Sequence, residues 1–207
     1  MKRSKTSKKW MNEHIEDHYV HEAQRLGYRS RAAFKLLEAN DKYELIKPQM
    51  SVLDLGSAPG SWSEVLSKSL AKEGKIIALD LLDMAPIAHV DFIQGDFRED
   101  SVLLELETKL ANQPLDLVIS DMAPNISGIK AKDQSGIIHL NELALDFARK
   151  WLKPNGHFFV KSFIGAEFDD FVKEVRLDFK KVLTFKPKSS RDRSSEVFVL
   201  GQYKLDN

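Results

Sequence analysis

The chain has 207 residues, 43% of them apolar and 30% charged, enough for one α/β domain of ordinary globular composition. It contains no cysteine, which excludes disulfides, thiolate metal sites and cysteine nucleophiles and fits a reducing cytoplasm. Lys and Arg balance Asp and Glu at 31 each, so net charge points to no partner, and no apolar run approaches the ~20 residues of a membrane span.

Residues 1–9 carry Lys2, Arg3, Lys5, Lys8 and Lys9 and read as a disordered basic tail without the apolar core of a secretion signal. Residues 10–47 form an N-terminal helical appendage to the domain that fills 10–207. Its helices are expected over 10–26 and 30–43, broken at "LGYRS", where Gly27 ends the first and Ser30 can cap the second. From residue 48 onward strands and helices alternate. "SVLDL" leads to a helix from Ser61, then come "KIIALD", "VDFIQ", a helix near 99–110 and "LDLVISD". A helix over 134–152, "GHFFVKS", a helix near 167–177, "KVLTFK" and "EVFVLGQY" complete the chain. This pattern predicts a single α/β domain with a doubly wound, mostly parallel seven-stranded sheet. The last two strands are joined only by a loop, which suits antiparallel pairing at an edge.

The turn "DLGSAPGSWS" after the first strand lies where open α/β sheets bind ligands. Gly56 and Gly60 allow close approach of the backbone, and Ser61 can cap the next helix. The spacing is not G-x-G-x-x-G and no Walker lysine follows, which argues against a dinucleotide or phosphate cradle. Acids stand at the strand ends: Asp54, Asp80, Asp96 and Asp121. Asp80 suits ribose hydroxyls and Asp96 an adenine amine, so the set suits S-adenosylmethionine, whose parts all present donors.

"RSRAAFKL", "DLGSAPGSWS", "ALDLLDM", "QGDFRED", "SDMAPNISG", "FVKSF" and "SSRDRSSEVF" together resemble the FtsJ/RrmJ (RlmE) family of ribosomal RNA ribose methyltransferases, in order, from about residue 10 to the end. The resemblance implies a Rossmann-like S-adenosylmethionine-dependent methyltransferase fold. It also implies methylation of a uridine 2′-hydroxyl in the A-loop of 23S ribosomal RNA within the large subunit. Its catalytic tetrad falls on Lys35, Asp121, Lys161 and Glu196. Its cofactor contacts fall on Gly60, Trp62, Asp80, Asp96 and Asp121, beside Gly56 of the same turn. Ser57 and Ser61 stand where the family more often has alanine and glycine.

The residues restrict the chemistry independently. Methylation at C5 of a pyrimidine needs a cysteine nucleophile, and there is none. "DMAPN" offers no aromatic to stack on an extruded base, which disfavours amine methylation. An alcohol oxygen remains, and it needs a base. Lys161, behind the apolar run of "GHFFVK", is the candidate; lowering a lysine from ~10.4 to ~7 takes about 4 to 5 kcal/mol. A structural ion pair is the alternative for the same residue.

Arg29, Arg31, Lys188, Arg191 and Arg193 are the expected RNA contacts, the last three on the basic loop "KPKSSRDR". His14, His18 and His21 share a helical face, but no further ligand completes a metal site. Trp10, Trp62 and Trp151 read as packing residues, although Trp62 sits beside the cofactor turn. No membrane and no obligate protein partner are expected. Competing readings are a 2′-O-methyltransferase of another RNA such as tRNA, a nicotinamide-dependent oxidoreductase, and a non-catalytic RNA-binding ribosome assembly factor.

Overall fold

The computed structural model describes residues 17–70, 72–124, 130–191 and 193–206, so the expected basic tail, Trp10 and His14 lie outside the described residues. Two helices, α1 (His18–Arg25) and α2 (Ala33–Tyr43), precede the sheet. Asp17 accepts the Tyr19 amide to begin α1, and Gly27 ends it at φ 70°. Ser30 takes the Ala32 amide onto its hydroxyl at 3.2 Å, so it caps a turn ahead of α2, which starts at Ala33 and not at residue 30.

The remaining elements alternate as expected. They are β1 (Ser51–Leu55), α3 (Ser61–Ser69), β2 (Lys75–Asp80), β3 (Val90–Gln94), α4 (Asp100–Leu110), β4 (Leu115–Ser120), α5 (Lys130–Trp151), β5 (Leu152–Phe163), α6 (Phe168–Asp178), β6 (Phe179–Phe185) and β7 (Glu196–Lys204). α5 begins at Lys130 rather than near 134, because its polar first turn carries no apolar periodicity to announce it. Gly60, at φ 109°, caps α3 in place of Ser61, whose hydroxyl instead meets that of Ser30 at 2.7 Å.

The sheet order is β3-β2-β1-β4-β5-β7-β6, parallel throughout except for β7, which runs antiparallel to β5 and β6. The reversed strand is therefore inserted one place inside the edge. Composition explains the choice. β7 is buried along most of its length and needs a neighbour on each side, whereas β6 carries exposed Lys180, Lys181 and Thr184 and suits an edge.

Side-chain alternation divides the core into two layers. Leu53, Leu55, Ile77 and Leu79 face α4, α5 and α6. Val52, Ile76, Ile119, Phe159 and Phe198 face α2 and α3, and Ala33, Leu36 and Ala39 of α2 belong to the same cluster. Phe158, Phe159 and Phe198 are fully buried, worth about 2–3 kcal/mol each in apolar transfer. The appendage thus packs on one face of the sheet, and α2 reaches the carboxyl ends of the central strands.

Candidate active site

β1 and β4 are adjacent, with their connections leaving in opposite directions, so a crevice opens at their carboxyl ends. The turn after β1 lines it. Gly56 has φ 73°, and a Cβ there would lie 2.6 Å from the Met122 backbone nitrogen. Only glycine fits against the strand β4 terminus. The crevice deepens into a cleft of about 490 Å³ between Gly56, Asp80, Asp96 and Asp121, with Gly136 and His139 of α5 on the far wall. That volume lies in the range of small-molecule sites. His139 and Gly136 were invisible as site residues in the sequence, since nothing in a helical pattern says which face meets a cleft.

Each acid sits differently. Asp80 ends β2 and accepts the Ala58 and Leu82 amides at 2.9 and 2.8 Å, one on each carboxylate oxygen. It lines the cleft with one bond on each oxygen. Asp96 accepts Nε of Arg98 at 2.9 Å and the Nη2 of the same guanidinium, which holds its carboxyl below the usual range. Arg98 is the residue that sequence reading missed here, although it stands two positions away in "GDFRED". Asp54 is fully buried and accepts the Ser63 hydroxyl at 2.6 Å, while its other oxygen has no hydrogen-bond partner. Burial above all, with Asp121 and Asp80 nearby, pushes its carboxyl up to about 7, against the pull of the Ser63 bond.

Two expected cofactor contacts are placed elsewhere. The Trp62 indole is 3% exposed, stacks on Phe159 with centroids 5.7 Å apart, and donates to the Ala32 carbonyl at 2.8 Å. As the second residue of α3 it points at the sheet, so the indole ties α2 to the core and does not line the cleft. Gly60 also stands outside the lining; a Cβ there would meet Ile87 at 2.7 Å and Arg29 at 2.9 Å.

The four residues of the expected tetrad do meet. Lys161, on β5, is 7% exposed. Its Nζ donates to the Asp121 carbonyl at 2.6 Å and pairs with Asp121 Oδ1 at 3.1 Å. Lys35, from α2, lies 3.8 Å from the same oxygen and donates to Glu196 Oε2 at 2.8 Å. Ser190 donates to the other Glu196 oxygen at 2.7 Å, a contact that no sequence spacing announced. Lys35 also sits over the Phe198 ring, 5.6 Å from its centroid. Two cations and two carboxylates therefore alternate in one chain, which meets the cleft through Asp121. A neutral amine at Lys161 would keep a lone pair beside donors already directed at Asp121.

The expected RNA contacts separate into two groups. The Arg29 guanidinium is spent on three backbone carbonyls, those of Pro59, Ala85 and Pro86, at 2.7–3.0 Å. It fastens the appendage to the cofactor turn and to the loop after β2. Arg31 pairs with Asp17 and donates to the Ser189 carbonyl. Both are structural ties in this structure. Lys188 and Arg193 are exposed and Arg191 is half-buried, on the β6–β7 loop whose Ser190 bonds Glu196 of the tetrad. Among the described residues no group of three His, Asp or Glu side chains is arranged to hold a metal. Trp151 packs on Phe147.

A 3-2-1-4-5-7-6 sheet with a reversed seventh strand and a nucleotide-sized cleft at its carboxyl ends defines a methyltransferase of the Rossmann-like class. The model of the FtsJ-like methyltransferase family matches residues 28–204, and the chain belongs to that family. It is 60% identical over 201 residues to a protein of Methylobacillus flagellatus named ribosomal RNA large subunit methyltransferase E, covering 97% of each chain. A protein of the same name from Chromobacterium violaceum is 57% identical, with 98% of each covered. Among solved structures, a Plasmodium falciparum protein described as a ribosomal RNA methyltransferase superposes with a TM-score of 0.76 at 32% identity, over 87% of this chain and 100% of that one.

Proposed function

We propose that the chain transfers a methyl group from S-adenosylmethionine to a ribose 2′-hydroxyl of 23S ribosomal RNA in the large ribosomal subunit, on the A-loop uridine that its family resemblance implies. The observation that carries this reading is the convergence of Lys161, Lys35 and Glu196 on and around Asp121, which lines the cleft. The names of the relatives support the substrate.

The cleft fits the cofactor on the chemistry of its donors and its shape. Asp80, with one amide on each oxygen, keeps acceptor capacity for ribose hydroxyls, Asp96 lines the same cleft and takes the adenine amine by giving up part of its Arg98 contact, and Gly56 leaves the backbone bare. When bound, S-adenosylmethionine supplies a methyl group on a sulfonium, an electrophile that needs an oxygen nucleophile. The protein's part is to hold the hydroxyl and take its proton. In its neutral form Lys161 Nζ takes the proton on its lone pair, the one position not directed at Asp121, and becomes the ammonium that pairs with Asp121. Lys35 and Glu196, paired with each other, hold the ribose and the adjoining phosphate. Lys188, Arg191 and Arg193 present charge to the RNA backbone from the adjacent loop.

No helix among the described residues is long and apolar enough to cross a membrane, which fits an enzyme working on ribosomal subunits in the cytoplasm. Transfer of a labelled methyl group to large subunits and to naked 23S RNA, followed by mapping of ribose methylation, tests the reading. Label at one ribose 2′-oxygen is expected. Label on a base, or none on either substrate, refutes it.

A further inference from the structure

The β6–β7 loop carries the cations assigned above to RNA, yet part of it is buried: Ser189 is fully inaccessible and Ser190 is 5% exposed. A buried loop leaves backbone amides that need acceptors, since it has no ladder or helix to supply them. Glu38 of α2 supplies them. Its Oε2 accepts the Lys188 amide at 2.6 Å and its Oε1 accepts the Ser189 amide at 2.9 Å. A carboxylate facing two consecutive amides makes charge-assisted bonds in a geometry fixed at both ends. Arg31 completes the clasp from the same region by donating to the Ser189 carbonyl.

Glu38 lies one helical turn after Lys35, so both project from one side of α2. Lys35 holds one oxygen of Glu196, and Ser190, the residue after the latched amides, holds the other. The same carboxylate thereby sets two things: the course of the backbone that bears Lys188 and Arg191, and the hydroxyl that fixes Glu196.

We propose that Glu38 is a positioning residue, a latch that folds the basic loop onto α2 so that its cations and Glu196 meet the RNA together. The inference rests on the RNA ribose methyltransferase reading for its consequence but not for its geometry. Charge alone predicts the opposite effect. Glu38 is a negative group on a surface that binds a polyanion, so neutralising it should tighten RNA if its only influence were electrostatic.

The test uses the full chain with Glu38→Gln and Glu38→Ala. Hydrogen exchange at the Lys188 and Ser189 amides reports the latch, calorimetry reports S-adenosylmethionine affinity, and steady-state transfer to large subunits separates KM for RNA from kcat. Both amides should lose their protection in Glu38→Ala, and one of the two in Glu38→Gln, which keeps a single acceptor oxygen. KM for RNA should rise about tenfold, the effect of losing a hydrogen bond or two to a charged group, with kcat falling less and cofactor affinity unchanged. If Glu38→Ala does not fold, Glu38→Gln keeps one acceptor and carries the measurement. Amides as protected as in the wild type overturn the latch, and a KM for RNA that is unchanged or lower overturns the positioning role. A wild-type protein that methylates no RNA overturns the functional reading on its own arm, while the exchange measurement still decides the latch.

Discussion

Replacing Lys161 by methionine and by arginine separates proton transfer from charge. The side chain is 7% exposed and gives up one charge-assisted bond to the Asp121 carbonyl and one ion pair, at 2.6 and 3.1 Å. Losing the hydrogen bond costs about 1.5–3 kcal/mol. A buried ammonium also carries a desolvation penalty, which methionine removes while filling similar volume, so the net loss of stability should stay within about 1–2 kcal/mol. The catalytic loss is larger. General base catalysis contributes about 10²–10⁴ in rate, which at 1.36 kcal/mol per decade is about 3–5 kcal/mol of barrier. Single-turnover transfer of a labelled methyl group at saturating cofactor reads that step directly. Lys161→Met should lie in this range below the wild type, with cofactor affinity intact. Lys161→Arg keeps the positive charge beside Asp121 but cannot surrender its proton, so it should fail nearly as badly. An arginine variant within about tenfold of the wild type would refute proton acceptance, and a methionine variant that active would refute any catalytic role.

Asp80→Ala strips the Ala58 and Leu82 amides of their acceptor along with the proposed ribose contact, and should weaken S-adenosylmethionine binding by about 10- to 100-fold in calorimetry; unchanged affinity would remove Asp80 from the site. Arg29→Ala should lower thermal stability and cofactor affinity, because three carbonyls around the cofactor turn lose their donor, while the salt dependence of RNA binding stays put. A flattened salt slope with normal cofactor affinity would return Arg29 to the RNA interface. Asp54→Asn tests the buried carboxyl. Its folded pKa, about 7, exceeds the ordinary 3.8, so the native state binds the extra proton and wild-type stability falls as pH rises between these values, by on the order of 4 kcal/mol in total. The asparagine variant should therefore gain on the wild type through this window and level off above about 7 in urea unfolding; a difference independent of pH would show that Asp54 carries no buried charge.

The strand and helix order was legible because burial writes periodicity into composition. "KIIALD" and "LDLVIS" are continuous apolar runs because both faces of a central parallel strand are covered, and both became strands at the expected places. The insertion of β7 between β5 and β6 was not legible. "EVFVLGQY" and "KVLTFK" announce an antiparallel pair, but the choice of partner for the outer side of β5 depends on which strand can bury both faces. That is a comparison between elements, and local pattern carries it only through the lysines of β6. Helix starts failed for a related reason. α2 begins without a side-chain cap, its first amides donating to carbonyls of the preceding turn, and α5 begins on a polar stretch, so neither start has a signature at the residue itself.

In the site, acids were easier to read than bases. An acid at a strand end is placed by the strand, so Asp80, Asp96 and Asp121 appear together at the cleft as their positions suggested. A basic residue on a long flexible side chain is placed by whatever acceptor it finds, and the sequence does not name that acceptor. Arg29 and Arg31 share a sign and a neighbourhood with Lys35, yet Arg29 ends on backbone carbonyls and Arg31 on Asp17 and Ser189, while Lys35 reaches Glu196, which is 161 positions away. A guanidinium with five donors in a fixed fork satisfies several carbonyls at once, which is what loops around a cofactor turn require, whereas a single ammonium can sit between two carboxylates. The distinction between Arg and Lys was therefore the informative signal in "RSRAAFK", and counting both as positive charge concealed it. Glu38 is hidden by its acceptor role in the same way. One carboxylate inside a basic surface is discounted when charge is summed, although two adjacent amides of a part-buried loop make it the acceptor that the loop needs.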